Sequence, residues 1–299
     1  MRIDIFDVGH GACSLISCPN GTRVMIDCGF NSETGWYPSD LLSNEQLDLL
    51  IFSNLDEDHV DDFPSFFGNV GVTKIFTNPT IGADELHAMK LAGGMDNGVA
   101  HVAALLRARG AGHIGPNVDC GEVRTQCYFN AYAADFEDTN NLSVATFVSY
   151  KAFKILYAGD METAGWRKLL ANPFFLAELS TVRLLVASHH GRASGRCAEL
   201  FQLCHPEAVI FSDCAKKYET QETDAWYRCR VKGIPNYAAK YDVEKACFPK
   251  RHVLTTRRDG HMSIDVNEAG GYLIRTERDQ QDSALADLYA YIESTRARA

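Results

Sequence analysis

The chain has 299 residues, room for one large domain or two ordinary ones, and 46% of them are hydrophobic against 23% charged. That is the composition of a soluble globular protein able to fill a substantial core. The formal net charge of −10 argues against a dedicated nucleic-acid packaging role, since phosphate neutralisation requires a basic footprint, and leaves only a local basic rim.

The chain opens "MRIDIFDVGHG", with acids where a signal peptide needs its apolar run. No stretch approaches the ~18 apolar residues of a membrane span. The expectation is a cytoplasmic protein without a membrane partner. "RIDIF", "ACSLIS" and "RVMIDCG" read as three consecutive strands joined by Gly/Asn turns, followed by "LDLLIF" as a buried strand and "VTKIFTN" as the next. Residues 81–110, rich in Ala, Leu and His and broken at "LAGG", read as two helices or a helical insertion. "YFNAYAADF", "LSVATFVSY" and "FKILYAGD" return to strands. "RLLVAS" and "AVIFSD" are strands, each preceding a helix, at about 194–204 and 220–232. "HVLTTRRDGHMSIDV" and "GYLIRT" are late strands, and "DSALADLYAYIESTRA" is a closing amphipathic helix. No linker or charge block divides the chain. One α/β domain spanning 1–299 is expected, with two packed sheets flanked by helices, a helical insertion at about 80–120 and a C-terminal helix at about 279–297. The ten cysteines form no C-x-x-C pair and sit in largely apolar surroundings, which favours reduced core thiols over a disulfide framework.

Four strand ends carry polar chemistry. After "LDLLIF" comes Ser53-Asn54-Leu55-Asp56-Glu57-Asp58-His59. Taken alone, such acids are helix caps as readily as metal ligands. "KILYAGD" puts the Asp160 carboxylate at a strand tip, and "RLLVASHHG" puts His189 and His190 at another. Adjacent histidines followed by glycine have few purely structural explanations. "FDVGHGACSLI" places Gly9 and Gly11 where a backbone turns closely beneath something. Converging carboxylates and imidazoles are a donor mixture for divalent cations.

In order, the chain shows Asp7-Val8-Gly9-His10-Gly11, Gly21 to Gly29, Ser53 to His59, Asn140-Asn141-Leu142-Ser143, Gly159-Asp160, His189-His190-Gly191, and Thr256 through Gly260 to Ile264. In this it resembles metallo-β-lactamase-fold hydrolases, specifically the group similar to the hydrolase domain of the DNA-uptake protein ComEC. The likeness covers nearly the whole chain apart from about 80–130 and the last helix. It implies a four-layer αββα sandwich and a metal-dependent hydrolase, a phosphodiesterase or nuclease acting on DNA, RNA or a nucleotide through a metal-activated water.

By the same resemblance, Asp56, Asp58, His59, Asp160 and His190 are metal ligands, with Asp160 bridging. Asp58 and His189 are the catalytic pair, His189 as a substrate or proton-transfer group. Asn54, Asn141 and His10 are further metal or supporting positions. One or two divalent ions are implied, Mn²⁺ favoured, with Zn²⁺ or Mg²⁺ as alternatives. The departures are specific: Asn54 and Asp56 stand where the family has its first two histidines, and His10-Gly11-Ala12 stands where it has Gln-Gly-Asp. Arg192 and Ser194, then Lys216, Lys217 and Tyr218, are candidate phosphate contacts, though each also reads as ordinary surface polarity. The insertion and the C-terminal helix are candidate surfaces for a protein partner. The rival reading is a non-catalytic interaction module with a partly decayed site, acting in a larger complex. A serine hydrolase is a distant third reading, since "GRASG" has the wrong spacing for a G-x-S-x-G elbow.

Overall fold

The structure, a computed structural model, describes residues 1–109, 116–214, 223–237, 239 and 242–280. Fifteen strands form among them, some of them, such as Ala208–Phe211 and Val253–Thr255, buried along their whole length. They are β1 (Arg2–Ile5), β2 (Cys13–Ser17), β3 (Arg23–Cys28), β4 (Gln46–Ile51), β5 (Gly71–Phe76), β6 (Arg124–Tyr128), β7 (Ala145–Tyr150) and β8 (Phe153–Tyr157). The remainder are β9 (Leu184–Val186), β10 (Ala208–Phe211), β11 (Ile234–Pro235), β12 (Lys250–Arg251), β13 (Val253–Thr255), β14 (Met262–Val266) and β15 (Tyr272–Thr276). One sheet runs β15-β14-β1-β2-β3-β4-β5 and the other β13-β10-β9-β8-β7-β6, with β11 and β12 a separate pair. Each large sheet is antiparallel on one side and parallel on the other: β3, β4 and β5 in the first, β8, β9, β10 and β13 in the second.

The two sheets pack face to face. Ile3, Ile16, Ile26 and Ile51 of one meet Val148, Phe153, Ile155 and Ile210 of the other in a fully buried layer. Outside the first sheet, a second apolar layer joins Leu15, Leu47 and Leu50 to Val60, Phe63, Phe66, Leu86 and Val102 on short helices. Outside the second, Phe147, Leu156 and Val209 join Trp166, Phe175, Leu200 and Tyr227. The result is the expected αββα sandwich. All ten cysteines are free thiols, with only Cys229 and Cys247 exposed. No described helix is long and apolar enough to cross a membrane.

Three expectations change. "YFNAYAADF" is strand only to Tyr128; beyond it, Asn78 Nδ2 donates to the Asn130 carbonyl at 2.9 Å and Ala131 N–H to Asp135 Oδ2 at 2.8 Å. These side chains give the backbone partners that compete with a ladder. "HVLTTRRDGHMSIDV" is cut by a helical turn at Thr256–Asp259, whose Asp259 accepts from Thr255 N–H at 2.9 Å. The helices after β9 and β10 shrink to Leu200–Leu203 and Asp224–Arg228. The stretch read as two helices or an insertion forms helices Ala83–Lys90 and Asn97–Arg109, which bury Leu86, Val99, Val102 and Ala103 against the outer face of the first sheet. The expected closing helix falls in 281–299, outside the described residues, apart from a turn at Glu277–Gln280.

Because Leu86 is fully buried in that layer, Leu86→Ala is expected to lower the unfolding free energy by about 2–5 kcal/mol while leaving metal content unchanged. Denaturant unfolding is the measurement. A loss below about 0.5 kcal/mol, the usual effect at a surface position, would show that these helices are only loosely packed on the sheet.

Candidate metal centre

The parallel strands of both sheets deliver their carboxyl ends to one edge, where α/β sheets commonly place their sites. β4 runs into Ser53 and Asn54 and then a one-turn helix, Glu57–Val60, carrying Asp58 and His59. β8 ends in Gly159-Asp160. β9 ends in the tight turn Ser188–Gly191. Asp58, His59, Asp160 and His190 each bring one donor atom to within 4.8 Å of all the others. No second such group of three or more His, Cys, Asp or Glu forms among the described residues.

Each imidazole is aimed by a partner behind it. His59 Nδ1 donates to Asp27 Oδ2 at 2.9 Å, leaving Nε2 3.1 Å from Asp160 Oδ1. His190 Nδ1 donates to the Ser212 carbonyl at 2.8 Å. Its Nε2 lies 3.1 Å from Asp58 Oδ2 and 3.3 Å from Asp160 Oδ1, yet is buried without a well-directed hydrogen bond. A buried nitrogen with its other ring atom committed, facing two carboxylates, has the tautomer and aim of a metal ligand. The group fits a divalent cation.

The surrounding backbone is shaped for this. Asp27, His189 and His190 hold left-handed conformations at φ 59°, 52° and 51°, each costing on the order of 1–3 kcal/mol for a residue with a Cβ. The Asp58 carbonyl is seated against Gly11 and Gly29, where an added Cβ would lie 2.5 and 2.4 Å from its oxygen. Ala12 N–H donates to that same oxygen at 3.2 Å.

The charges are interdependent. Burial drives the Asp58 carboxyl upward, but His59, His190 and His10 more than offset it and hold it far below the usual range. Asp160 behaves alike, burial opposed by His190 and His59, and comes to about 2. For His59, burial favours the neutral ring, yet Asp160, Asp27 and Asp58 raise its pKa well above 6.5. His190 is raised too, by Asp160 and Asp58 against its burial. His10 goes the other way, to about 4, through burial and then His190.

The remaining expected residues sit as follows. Asp56 is not in the group: its carboxylate is ion-paired with Lys90, which corrects its assignment as a ligand. Asn54 donates to Asn140 Oδ1 at 3.1 Å and accepts from Leu55 N–H. Asn141 is likewise committed, donating to Asp138 and accepting from Gly165 N–H at 2.8 Å. His10 lies at the mouth, with Nε2 3.5 Å from Asp58 Oδ2 and its ring 4.5 Å from that of His190. Arg192 donates to His10 Nε2 at 3.1 Å and to His189 Nε2 at 3.3 Å. His189 Nδ1 is 2.9 Å from Ser194 Oγ and 3.5 Å from Glu162 Oε1, and burial lowers its pKa. Lys216, Lys217 and Tyr218 lie outside the described residues. Sequence reasoning missed Asp27, which also accepts from Ser53 N–H at 2.6 Å; its signal was a carboxylate ending the apolar run of β3. The Ser212 carbonyl left no signal, being main chain.

No protein-family model matches the chain, and no curated protein does. Similar solved structures include the CmlA beta-hydroxylase E377D mutant, 12% identical with a TM-score of 0.48, covering 88% of this chain and 54% of that one. Others are the metallo-beta-lactamase fold protein YhfI from Bacillus subtilis, 11% identical at TM-score 0.43 and covering 91% and 99%, and Igni18, a metallo hydrolase from the archaeon Ignicoccus hospitalis, 13% identical at 0.46 and covering 89% and 100%.

Protons and a cation compete for the His59 and His190 Nε2 lone pairs, because both rings have raised pKa values. Mn²⁺ binding at about pH 7 is therefore expected to release at least one proton per ion and to weaken as pH falls. Calorimetry in buffers of different ionisation enthalpy reads this directly; binding without proton release would remove the imidazoles from the ligand set. Asp27→Asn should weaken the same binding by about 10–100-fold, the usual effect of losing a group that orients a ligand.

Proposed function

We propose that this protein is a metal-dependent phosphodiesterase, hydrolysing a phosphodiester of a nucleic acid or nucleotide. The observation that carries the reading is the juxtaposition of the four-donor group with Arg192, a cation that stands over it without a carboxylate partner among the described residues. Asp58, His59, Asp160 and His190 would hold one divalent cation. A bound divalent ion supplies Lewis-acid stabilisation of phosphate charge and acidifies a coordinated water.

The chain's own residues account for the rest. Arg192 is steadied by neutral acceptors alone, His10 and His189, so its charge remains available to an anionic oxygen of the substrate. Its Nε is buried and unpartnered, which favours a ligand that completes its fork of donors. His189, held neutral with Nδ1 toward Ser194 and Glu162, has Nε2 3.7 Å from Asp160 Oδ2 and accepts a proton there once Arg192, its present donor, turns to the substrate. Asp58, about a quarter exposed, faces the mouth, where it orients the nucleophile as well as ligating. With Asn54 and Asp56 committed elsewhere, the non-catalytic reading gains one point, but the ligand group itself is complete without them.

Two variants separate ligation from proton transfer. Asp160→Ala is expected to abolish both stoichiometric metal binding and hydrolysis of bis(p-nitrophenyl) phosphate. His189→Asn should keep the metal and lose roughly 10²–10⁴ in kcat. Wild-type hydrolysis by purified Asp160→Ala protein would sink the ligand assignment. An unimpaired His189→Asn enzyme would remove that residue from the chemistry.

The donor set is half carboxylate and half imidazole, with no thiolate in the group. Carboxylate and water suit Mn²⁺ and Mg²⁺, whereas zinc leans toward nitrogen and sulfur. After chelator treatment, activity is expected to return best with Mn²⁺, less with Mg²⁺ and poorly with Zn²⁺. Full activity with zinc and none with manganese would overturn this order.

A further inference from the structure

Charge is unevenly spread in this chain. Residues 183–259 hold fourteen Lys and Arg against nine Asp and Glu, although the whole protein has 29 against 39. Among the described residues, Arg192, Arg196, Arg228, Arg230, Lys232 and Lys250 have no carboxylate partner. Several are held instead by carbonyls: Arg196 by Ala193 at 3.2 Å, Arg230 by Trp226 at 2.7 Å, and Lys250 by Lys232 at 2.9 Å.

These cations form a continuous run that begins at the metal centre. The loop after His190 carries Arg192 and then Arg196, whose guanidinium lies 5.6 Å from the centroid of the Trp226 ring. Arg230 stacks on that ring at 4.0 Å. The Trp226 helix is tied to the His189-His190-Gly191 turn, because the Thr223 hydroxyl donates to the Gly191 carbonyl. Beyond Arg230, Lys232 and Lys250 are joined by their hydrogen bond and by the β11–β12 pairing. His252 closes the far end beside Arg228 and Lys250, which, after burial, lower its pKa. Nearby carboxylates are already matched: Glu199 pairs with Arg167, and Asp224 faces Arg257 and Arg258.

We propose that the run from Arg192 through Arg196, Trp226, Arg228 and Arg230 to Lys232 and Lys250 is a binding track for single-stranded nucleic acid. It rests on the phosphodiesterase reading for its substrate class, and goes beyond it by placing most of the binding surface outside the metal centre. Cations without carboxylate partners follow a phosphate backbone, while aromatic rings and guanidinium planes stack with bases irrespective of sequence. Trp226 and its stacked arginines offer those planes midway along the run. A duplex hides its base faces, so the pairing of planes with cations favours single strands.

The test is fluorescence anisotropy with a labelled oligothymidylate of about 20 nucleotides, in EDTA, over a salt series. The variant is Arg228→Gln with Lys232→Gln and Lys250→Gln, three exposed side chains whose loss leaves the core intact, as a thermal melt would check. Each single-strand phosphate contact contributes about −0.7 to the slope of log K against log salt. The wild type is expected to bind with a slope of about −3 or steeper. The triple variant should bind at least about 10-fold more weakly, with a slope shallower by about 2, while cleaving bis(p-nitrophenyl) phosphate at the wild-type rate. Equal affinity and slope in the two proteins would overturn the track, as would tighter binding of the corresponding duplex. Because binding is read in chelator, failure to cleave the small diester would count against the phosphodiesterase reading alone.

Discussion

Burying a charge without a partner costs several kcal/mol, and at one edge of the sandwich this chain brings together three carboxylates and two imidazoles. Asp27, Asp160, His59 and His190 are almost wholly inaccessible, and Asp58 is partly so. Each survives there only because the others do. Asp160 is held low by His190 and His59, and those rings are charged by the same carboxylates. Removing one member leaves an uncompensated charge, so the group is held together by its own electrostatics. Such mutual dependence could serve structure alone. His190 Nε2, which faces Asp58 Oδ2 and Asp160 Oδ1 without a well-directed hydrogen bond, points instead to a cation between them.

The fold is arranged to meet this constraint. Two sheets, each parallel on one side, project strand ends toward a common edge, so residues distant in sequence meet without long loops. The left-handed turns at Asp27 and at His189-His190 are local costs that the packed sheets over-determine. Gly11 and Gly29 admit the Asp58 carbonyl so closely that a methyl group at either would displace the ligand helix. From that rigid floor the chemistry becomes more accessible outward, through His10, His189 and Arg192 to the cationic run on the second half of the chain.

Much of this was legible because the informative residues end apolar strands. "KILYAGD" and "RLLVASHHG" break off in ionisable groups just where the periodicity stops, and the pair Asp58-His59 follows β4 in the same way. What escaped depends on distance in sequence. Asp56 looked like a ligand because nothing local revealed Lys90, 34 residues on, as its partner. Asp27 supports His59 from a strand that reads as ordinary core, and the Ser212 carbonyl is common to every residue type. The helices at 83–109 were legible as helices, but Leu86 and Val102, which pack them on the sheet, are hidden among alanines. "YFNAYAADF" had strand composition, but Asn78 and Asp135 supplied its backbone with other partners.

The proposed function depends on one cation position among Asp58, His59, Asp160 and His190. Anomalous diffraction from crystals grown with Mn²⁺ addresses it most directly, by comparing data above and below the manganese absorption edge. The account predicts a single strong peak enclosed by Asp58, His59 Nε2, Asp160 and His190 Nε2, at about 2 Å from each donor. A well-ordered crystal with no peak there, or with its manganese at Asn54 and Asp56 instead, would contradict it.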